Sequence, residues 1–358
     1  MIELHDIKDF ALATAASNRE LDRILTDEEL ASKTKALRTA IEAVLNLDRA
    51  SISFEHLGGG RHYVYLLFAL TRIGAVGCSA RDAHRAWAWL PQRDFIRNVR
   101  INWRSPSNGI LLSESTNGPS ILHINPQYYS SPPADHRLFA PYFAHPEFYK
   151  TGLHNDVRRM RGRERNVRIF FAGTLSSSAY SENFRFPILT RDKILGHVIS
   201  RFEWAIKTDL RQTGLRPIFI VSTSDTRDII DKHKLSMPEY MDAMSRSDFF
   251  ICPPGWLMPH SHNLIEAMSV GTIPITNYHS YMRPSLTPDG NCLAFSTFEQ
   301  LEKVIDDALC MPATEIDRLR GGVISYYEEH IELDSFGKKL MEYAPSISEV
   351  VINDESGR

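Results

Sequence analysis

The sequence is poor in cysteine and has no long apolar run. Its four cysteines are widely spaced and form no Cys-x-x-Cys pair, which favours reduced, packed thiols over disulfides or a zinc site. No apolar run approaches the roughly 18 residues that indicate a transmembrane helix. Residues 1–25 contain acidic side chains throughout and no apolar signal segment, so we expect a cytoplasmic protein.

A strong charge of one sign and internal repeats are also missing. The formal net charge is -3, so the overall charge predicts no nucleic-acid partner. Of the 358 residues, 43% are hydrophobic and 24% are charged, as in ordinary globular enzymes. This length predicts about two domains, each large enough to bury a core of its own.

The segment from Ser247 to Thr276 carries the most informative pattern in the chain. It predicts a buried strand (Phe249–Cys252), a Pro-Pro-Gly loop, an amphipathic helix and, after Gly271, a second buried strand (Thr272–Thr276). This order is typical of a parallel βαβ unit. In such a sheet, the loops at the carboxyl ends of the strands form the ligand crevice.

Strands and helices alternate in this way in both halves of the chain. The alternation predicts an α/β protein with two doubly wound Rossmann-like domains facing each other across a cleft, preceded by a helical N-terminal extension. The predicted divisions are the extension over 1–48, a first domain over 49–155, a second domain over 156–330, and a C-terminal helix returning to the first domain, with a tail, over 331–358.

Polar side chains gather at the start of the helix predicted inside the 247–276 segment. His262, Asn263 and Glu266 are spaced so that they share or border one helix face. A helix N-terminus suits a phosphate, and a carboxylate one turn further along suits the two hydroxyls of a ribose. The pattern therefore favours a nucleotide ligand, with a capping interaction or a salt bridge as the alternative for Glu266.

The same segment resembles the nucleotide-sugar-binding region of GT-B glycosyltransferases, particularly the exostosin-like group. The matching residues are Cys252-Pro253, Ser261, Glu266-Ala267 and Gly271-Thr272-Ile273-Pro274-Ile275, together with Phe170-Phe171-Ala172-Gly173. The resemblance covers roughly residues 167–300. It implies a GT-B fold, a nucleotide-sugar donor bound by the second domain, and Glu266 on the donor ribose.

The resemblance also implies a set of donor-binding residues. These are Gly173, Thr174 and Ser176 near the phosphates, Ser222 and Thr223 near the base, and Pro254, Gly255, His262, Asn263 and Glu266 in and after the Pro-Pro-Gly loop. One departure matters, because Asn263 stands where the exostosin-like pattern has arginine. The phosphate-binding cation is then expected elsewhere, with Arg185, Arg191 and Lys193 as candidates. A UDP-sugar is the first expectation for the donor, and a CMP-linked acidic sugar is the alternative.

Two histidines flank Ser261 in the sequence Pro-His-Ser-His. His260 and His262 invite a metal interpretation, but no local Cys, Asp or Glu supplies a third ligand. Hydrogen bonding to phosphate or acceptor is favoured over zinc, and a structural role is the alternative for His260. No metal or other cofactor is predicted, since no Asp-x-Asp motif occurs.

The first domain is expected to supply the proton acceptor and the acceptor contacts. His62 follows a Gly-rich turn, where the resemblance to inverting GT-B enzymes places a histidine, and Glu114 is the competing base. A solvent-exposed helix start and a turn carboxylate are the respective alternatives. The residues do not distinguish inversion from retention of configuration.

These observations predict a metal-independent glycosyltransferase acting in polysaccharide biosynthesis, on a hydroxyl of a glycan or glycolipid. A sugar-nucleotide epimerase and a non-catalytic nucleotide- or glycan-binding protein are the alternatives. The basic run from Arg158 to Arg168 is interpreted as a solvated linker face, or as a surface that meets an acidic acceptor or anionic lipids at the inner membrane face.

Overall fold

A computed structural model describes residues 50–53, 66, 69, 77–78, 110–113, 121–175, 184–207, 218–222 and 230–353. The helical extension predicted over 1–48 lies outside these residues. The chain divides into two compact units. Unit 1 contains the described residues up to Ala140 and from Phe336 onward, and unit 2 is Pro141–Ser335.

Unit 1 contains a sheet of six parallel strands among its described residues. The strands, numbered in chain order with those of unit 2, are β1 (Ala50–Ser53), β2 (Gly77–Cys78), β3 (Ile110–Ser113), β4 (Ile121–Asn125), β5 (Arg137–Phe139) and β12 (Glu349–Val351). Their order is β2-β1-β3-β4-β12-β5. The end of the chain therefore returns to unit 1 and pairs on both sides inside its sheet.

Unit 2 contains a second sheet of six parallel strands among its described residues. The strands are β6 (Val167–Ala172), β7 (Ile206–Lys207), β8 (Ile218–Val221), β9 (Ser247–Cys252), β10 (Ile273–Thr276) and β11 (Leu293–Ala294). Their order is β11-β10-β9-β6-β8-β7. The first strand of the unit is thus central, and the chain fills one side of it before crossing to the other.

The described helices flank these strands. They are α1 (Pro146–Lys150), α2 (Val157–Arg161), α3 (Arg191–Arg201), α4 (Met237–Ser245), α5 (His262–Ser269), α6 (Phe298–Cys310), α7 (Ala313–His330) and α8 (Leu333–Tyr343). In unit 2, α3 packs against α6, while α5 packs against both α4 and α7. Helices in two groups around a parallel sheet confirm the predicted α/β class. No helix among the described residues is long and apolar enough to span a membrane.

The core of unit 2 lies on the central strands of its sheet. Phe170 and Phe171 of β6 and Phe249 and Phe250 of β9 are all 0% exposed. The Phe170 and Phe250 rings meet edge to face with centroids 5.5 Å apart. Strands that are covered on both faces appear in a sequence as continuous apolar runs. Burial of each phenylalanine stabilises the fold by about 1.5–3 kcal/mol. This explains why the apolar runs predicted these strands closely.

The basic run holds unit 2 together at the amino ends of these strands. Arg165 is partly buried, and its guanidinium donates to the backbone carbonyls of Ser247 and Val270. Arg161 donates to the Ser269 carbonyl at 2.9 Å, and Arg168 pairs with Asp248, 3.0 Å away. Arg161, Arg165 and Arg168 are therefore internal structural links, whereas Arg158 and Arg159 of the same run are 72% and 71% exposed.

Candidate functional site

The site is centred on the carboxyl ends of β6 and β9, two neighbouring strands of unit 2. After β6 the chain reaches one side of the sheet, and from β9 onward it fills the other side. This is the switch point at which doubly wound sheets bind their ligands. The loop after β6 begins at Gly173, and the loop after β9 runs from Pro253 to Ser261.

Arg191 links these two loops. It is the first residue of α3, and its side chain is buried, with the residue only 7% exposed. The Nε atom donates to the Pro254 carbonyl at 3.1 Å, and Nη2 donates to Ser261 Oγ, also at 3.1 Å. The third guanidinium nitrogen, Nη1, lies 3.9 Å from the position that a Cβ at Gly173 would take. A buried cation therefore stands beside the glycine turn that follows β6.

Gly255 makes the loop after β9 unusually tight. Its N–H donates to the Pro259 carbonyl at 3.2 Å. A Cβ at this position would lie 2.4 Å from the His260 carbonyl oxygen, so no larger residue fits without a shift of backbone. Pro253, Pro254 and Pro259 are buried. The loop is therefore closed on itself and held at both ends.

The N-terminus of α5 is fixed to β6 by side chains. Ser261 is the N-cap residue, and its hydroxyl donates to Asn263 Oδ1 at 2.9 Å. The Asn263 amide lies 3.5 Å from the Ala172 carbonyl at the end of β6. Because Ser261 also accepts from Arg191, the N-termini of α3 and α5 lie within one side-chain length of each other. Both helix dipoles and the guanidinium then favour an anion here.

Glu266 projects inward one turn along α5. It is 2% exposed, and Oε1 accepts a hydrogen bond from the backbone N–H of His145 at 2.8 Å. Burial raises its pKa from 4.5 to about 7, against the opposing effects of the His145 N–H and the Tyr240 hydroxyl. Burial and the neighbouring carboxylate likewise raise the pKa of Tyr240. The carboxyl group is therefore poised to change protonation state near neutral pH.

Aromatic rings surround the two histidines of the Pro-His-Ser-His sequence. Tyr142 stacks on His260, and its centroid lies 5.2 Å from that of His260 and from that of His262. The Nδ1 atom of His262 is 2.7 Å from the Phe143 carbonyl and donates to it. His260 is 2% exposed, and burial lowers its pKa to about 3, so it is neutral at pH 7. His260 therefore contributes to the packing of this loop, and its contact with a ligand stays a prediction.

A cavity of about 250 Å³ opens between the carboxyl ends of β6 and β8. Its lining includes Gly173, Thr174, Ser222, Leu235 and Tyr240. Tyr240 therefore belongs both to this cavity and to the surroundings of Glu266. A larger cavity, of about 1020 Å³, lies between α2 and α4 and reaches Val167 at the start of β6. It lies at the amino end of the strand, where doubly wound sheets do not bind their ligands.

The structure brings most of the predicted donor-binding residues together in unit 2. Gly173, Thr174, Arg191, Ser222, Pro254, Gly255, His262, Asn263 and Glu266 belong to the two loops, the cavity and the start of α5. Of the three candidate cations, Arg191 alone is buried, while Arg185 and Lys193 are exposed. Ser176, Thr223, His62 and Glu114 lie outside the described residues.

Two contributors to the site carried no signal in the sequence. The His145 backbone N–H binds Glu266 from a position 121 residues away, and a backbone group has no sequence signature. Tyr240 lies on α4, and no motif in the sequence distinguishes it from the other tyrosines. Among the described residues, no group of three or more His, Cys, Asp or Glu side chains is arranged to hold a metal ion.

No protein-family model matches the sequence, and no curated protein matches it. The solved structures that this chain resembles include glycosyltransferases. A glycosyltransferase from Rickettsia africae ESF-5 is 11% identical, with 83% of this chain and 98% of that chain covered and a TM-score of 0.47. Anabaena Alr3699/HepE in complex with UDP-glucose is 10% identical, with 83% and 100% covered and a TM-score of 0.43. WaaG, a glycosyltransferase involved in lipopolysaccharide biosynthesis, is 11% identical, with 83% and 100% covered and a TM-score of 0.40.

At identities of 10–11% and TM-scores of 0.40–0.47, these similarities establish neither the substrate nor the activity of this chain.

Proposed function

We propose that this protein is a glycosyltransferase that binds a nucleotide-sugar donor at the carboxyl edge of the unit 2 sheet. One observation carries the proposal. A buried guanidinium, two helix N-termini and a glycine turn gather at the strand switch point, and a buried carboxylate lies one turn along α5. The first group of features suits a diphosphate, and the carboxylate suits a ribose diol.

The cavity between β6 and β8 is proposed to take the nucleoside. It opens beside Ser222 and Tyr240, and Tyr240 lies next to Glu266, so a base in the cavity would place its ribose toward that carboxylate. The phosphates would then meet the backbone of Gly173 and Thr174 and the side chain of Arg191. We propose a UDP-sugar as the donor, consistent with the exostosin-like resemblance.

The positive charge of the site suggests how the reaction is assisted. Breaking the bond between the sugar and the diphosphate leaves negative charge on the phosphate oxygens. Arg191 and the N-termini of α3 and α5 are fixed before the reaction, so they would stabilise that charge without reorganising. The acceptor is proposed to be a hydroxyl of a glycan or glycolipid, with His62 or Glu114 as the group that takes its proton.

Calorimetric titration with nucleotide sugars tests the proposal. The panel contains UDP-glucose, UDP-galactose, UDP-N-acetylglucosamine, GDP-mannose and a CMP-linked acidic sugar. Arg191→Met removes a charged partner of the diphosphate and is expected to weaken donor binding by about 10- to 100-fold. Arg158→Met removes the charge of an arginine of α2 whose side chain is 72% exposed and serves as the matched control, with affinity unchanged.

Two results would overturn the proposal. The first is that no nucleotide sugar binds to the wild-type protein. The second is that Arg191→Met, shown to be folded by circular dichroism, binds the donor as well as the wild type does. Release of UDP from the donor that binds best, measured with glycan acceptors, then separates an enzyme from a binding protein.

A further inference from the structure

An exposed tryptophan stands in the loop that follows β9. Trp256 is 53% exposed, although Pro254 before it and Met258 after it are buried. Its indole makes no hydrogen bond and no ring contact with any residue that the structure describes. Large aromatic side chains normally contribute to folding by burial, so this indole stabilises the folded chain little.

The loop holds the backbone that carries this indole in a fixed place. Gly255 immediately before it closes the loop through the Pro259 carbonyl, and the space for a Cβ at Gly255 is taken by the His260 carbonyl. Pro254, two residues before the indole, is tied to Arg191 through its carbonyl. A tryptophan has only two side-chain torsions to order, so a rigid loop makes it a preorganised contact surface.

The strand order places this indole beyond the diphosphate anchors. The nucleoside cavity lies on the β8 side of β6, and Arg191 joins the loops of β6 and β9. Trp256 comes from the loop of β9, on the other side of β6. A donor whose base lies in the cavity and whose phosphates lie at Arg191 therefore directs its sugar toward the loop that carries Trp256.

We infer that the indole of Trp256 stacks against the sugar ring of the nucleotide-sugar donor and so contributes to the choice of that sugar. The inference rests on the proposed function. One face of a pyranose ring presents C–H groups, which pack well on an aromatic face, while the hydroxyls at its rim stay solvated. Stacking of this kind acts on the sugar and leaves the nucleotide untouched.

The test compares the affinity for UDP with the affinity for the best-binding UDP-sugar of the panel. In Trp256→Ala, the affinity for the UDP-sugar is expected to fall by about three- to tenfold, with that for UDP unchanged. Trp256→Phe keeps an aromatic face and is expected to lose less. Because the indole is exposed, both variants are expected to melt within about 1–2 °C of the wild type.

Trp204 supplies the matched control. It is 69% exposed and lies in the 3-10 turn immediately before β7, at the amino edge of the same sheet. Trp204→Ala is expected to change neither affinity. An equal loss for UDP and UDP-sugar in Trp256→Ala would overturn the inference, as would no loss for either. In both cases the wild-type protein still binds the donor and the proposed function stands, whereas absence of donor binding in the wild type overturns both.

Discussion

The buried carboxyl group of Glu266 gives a prediction whose sign and size follow from its surroundings. Its pKa is about 7 in the folded protein and 4.5 in an ordinary environment. Between these values the folded protein holds a proton that the unfolded chain has released, so the free energy of unfolding falls as the pH rises. The stabilisation that the Glu266 proton contributes is fully present below pH 4.5 and is lost once the pH has passed 7. The loss amounts to about 3 kcal/mol.

Glu266→Gln isolates this contribution. A glutamine keeps the oxygen that accepts from the His145 N–H but never ionises. We expect the free energy of unfolding of the variant, relative to that of the wild type, to rise by about 3 kcal/mol as the pH increases from about 4.5 to about 8. Denaturant titrations of both proteins across this range measure the difference directly. If the two stability curves run parallel, the carboxyl group titrates at its ordinary pKa and the reasoning about its burial is refuted.

The same protonation is expected to control donor binding. A ribose diol donates to an ionised carboxylate, so the affinity for a UDP-sugar is expected to rise about fivefold from pH 6 to pH 7 and about tenfold by about pH 8, where it levels off. Glu266→Gln is expected to bind more weakly and without this dependence. A UDP-sugar is the right probe, because its phosphates carry no group that titrates near pH 6, as the terminal phosphate of UDP does. A flat wild-type profile would contradict the ribose assignment.

Two further substitutions test how the site and its support are built. Gly255→Ala is expected to lower the free energy of unfolding by about 1–3 kcal/mol and to weaken donor binding, because the added Cβ meets the His260 backbone. Gly196→Ala is the control. It lies on α3, where an added Cβ has nothing within 4 Å, and is expected to raise the free energy of unfolding by up to about 1 kcal/mol. Arg165→Met removes a donor to the buried Ser247 and Val270 carbonyls and is expected to lower the free energy of unfolding by about 2–5 kcal/mol. Arg158→Met, on a side chain 72% exposed, is expected to lower it by less than about 1 kcal/mol.

Each of these comparisons has a contradicting result. Equal effects of the two alanine substitutions would mean that the loop after β9 has room to adjust. Equal effects of the two methionine substitutions would mean that the basic run is the solvated face suggested by its composition. Both pairs are measured by the same denaturant titration, with binding of the UDP-sugar added for the glycine pair.

The central strands of unit 2 could be predicted from the sequence because each is one continuous apolar run. The prediction for β9, Phe249–Cys252, differs from the structure by two residues at its start, and that for β10, Thr272–Thr276, differs by one. The strands β5 and β12 were not predicted. Each is three residues long, and their partnership includes an ion pair between Arg137 and Glu349. A pairing between residues 212 apart leaves no local pattern.

The site was predictable where a motif marks it and unpredictable where folding selects among similar residues. Glu266 and the Pro-Pro-Gly loop follow from the βαβ pattern. Arg191 and Lys193 were equal candidates in the sequence, yet only Arg191 is buried. Two positions along a helix turn the side chain by about 200°, so the two cations cannot serve the same face. The contact of Glu266 with the His145 N–H depends on a backbone group, and the residue type does not show which backbone group will be used.

A crystal structure of the protein soaked with UDP tests the central claim most directly. We expect density for the ribose with its hydroxyls within hydrogen-bond distance of the Glu266 carboxylate, and density for the diphosphate beside Gly173 and Arg191. Density for UDP elsewhere on the chain, with Glu266 still bound only to the His145 N–H, would contradict the account.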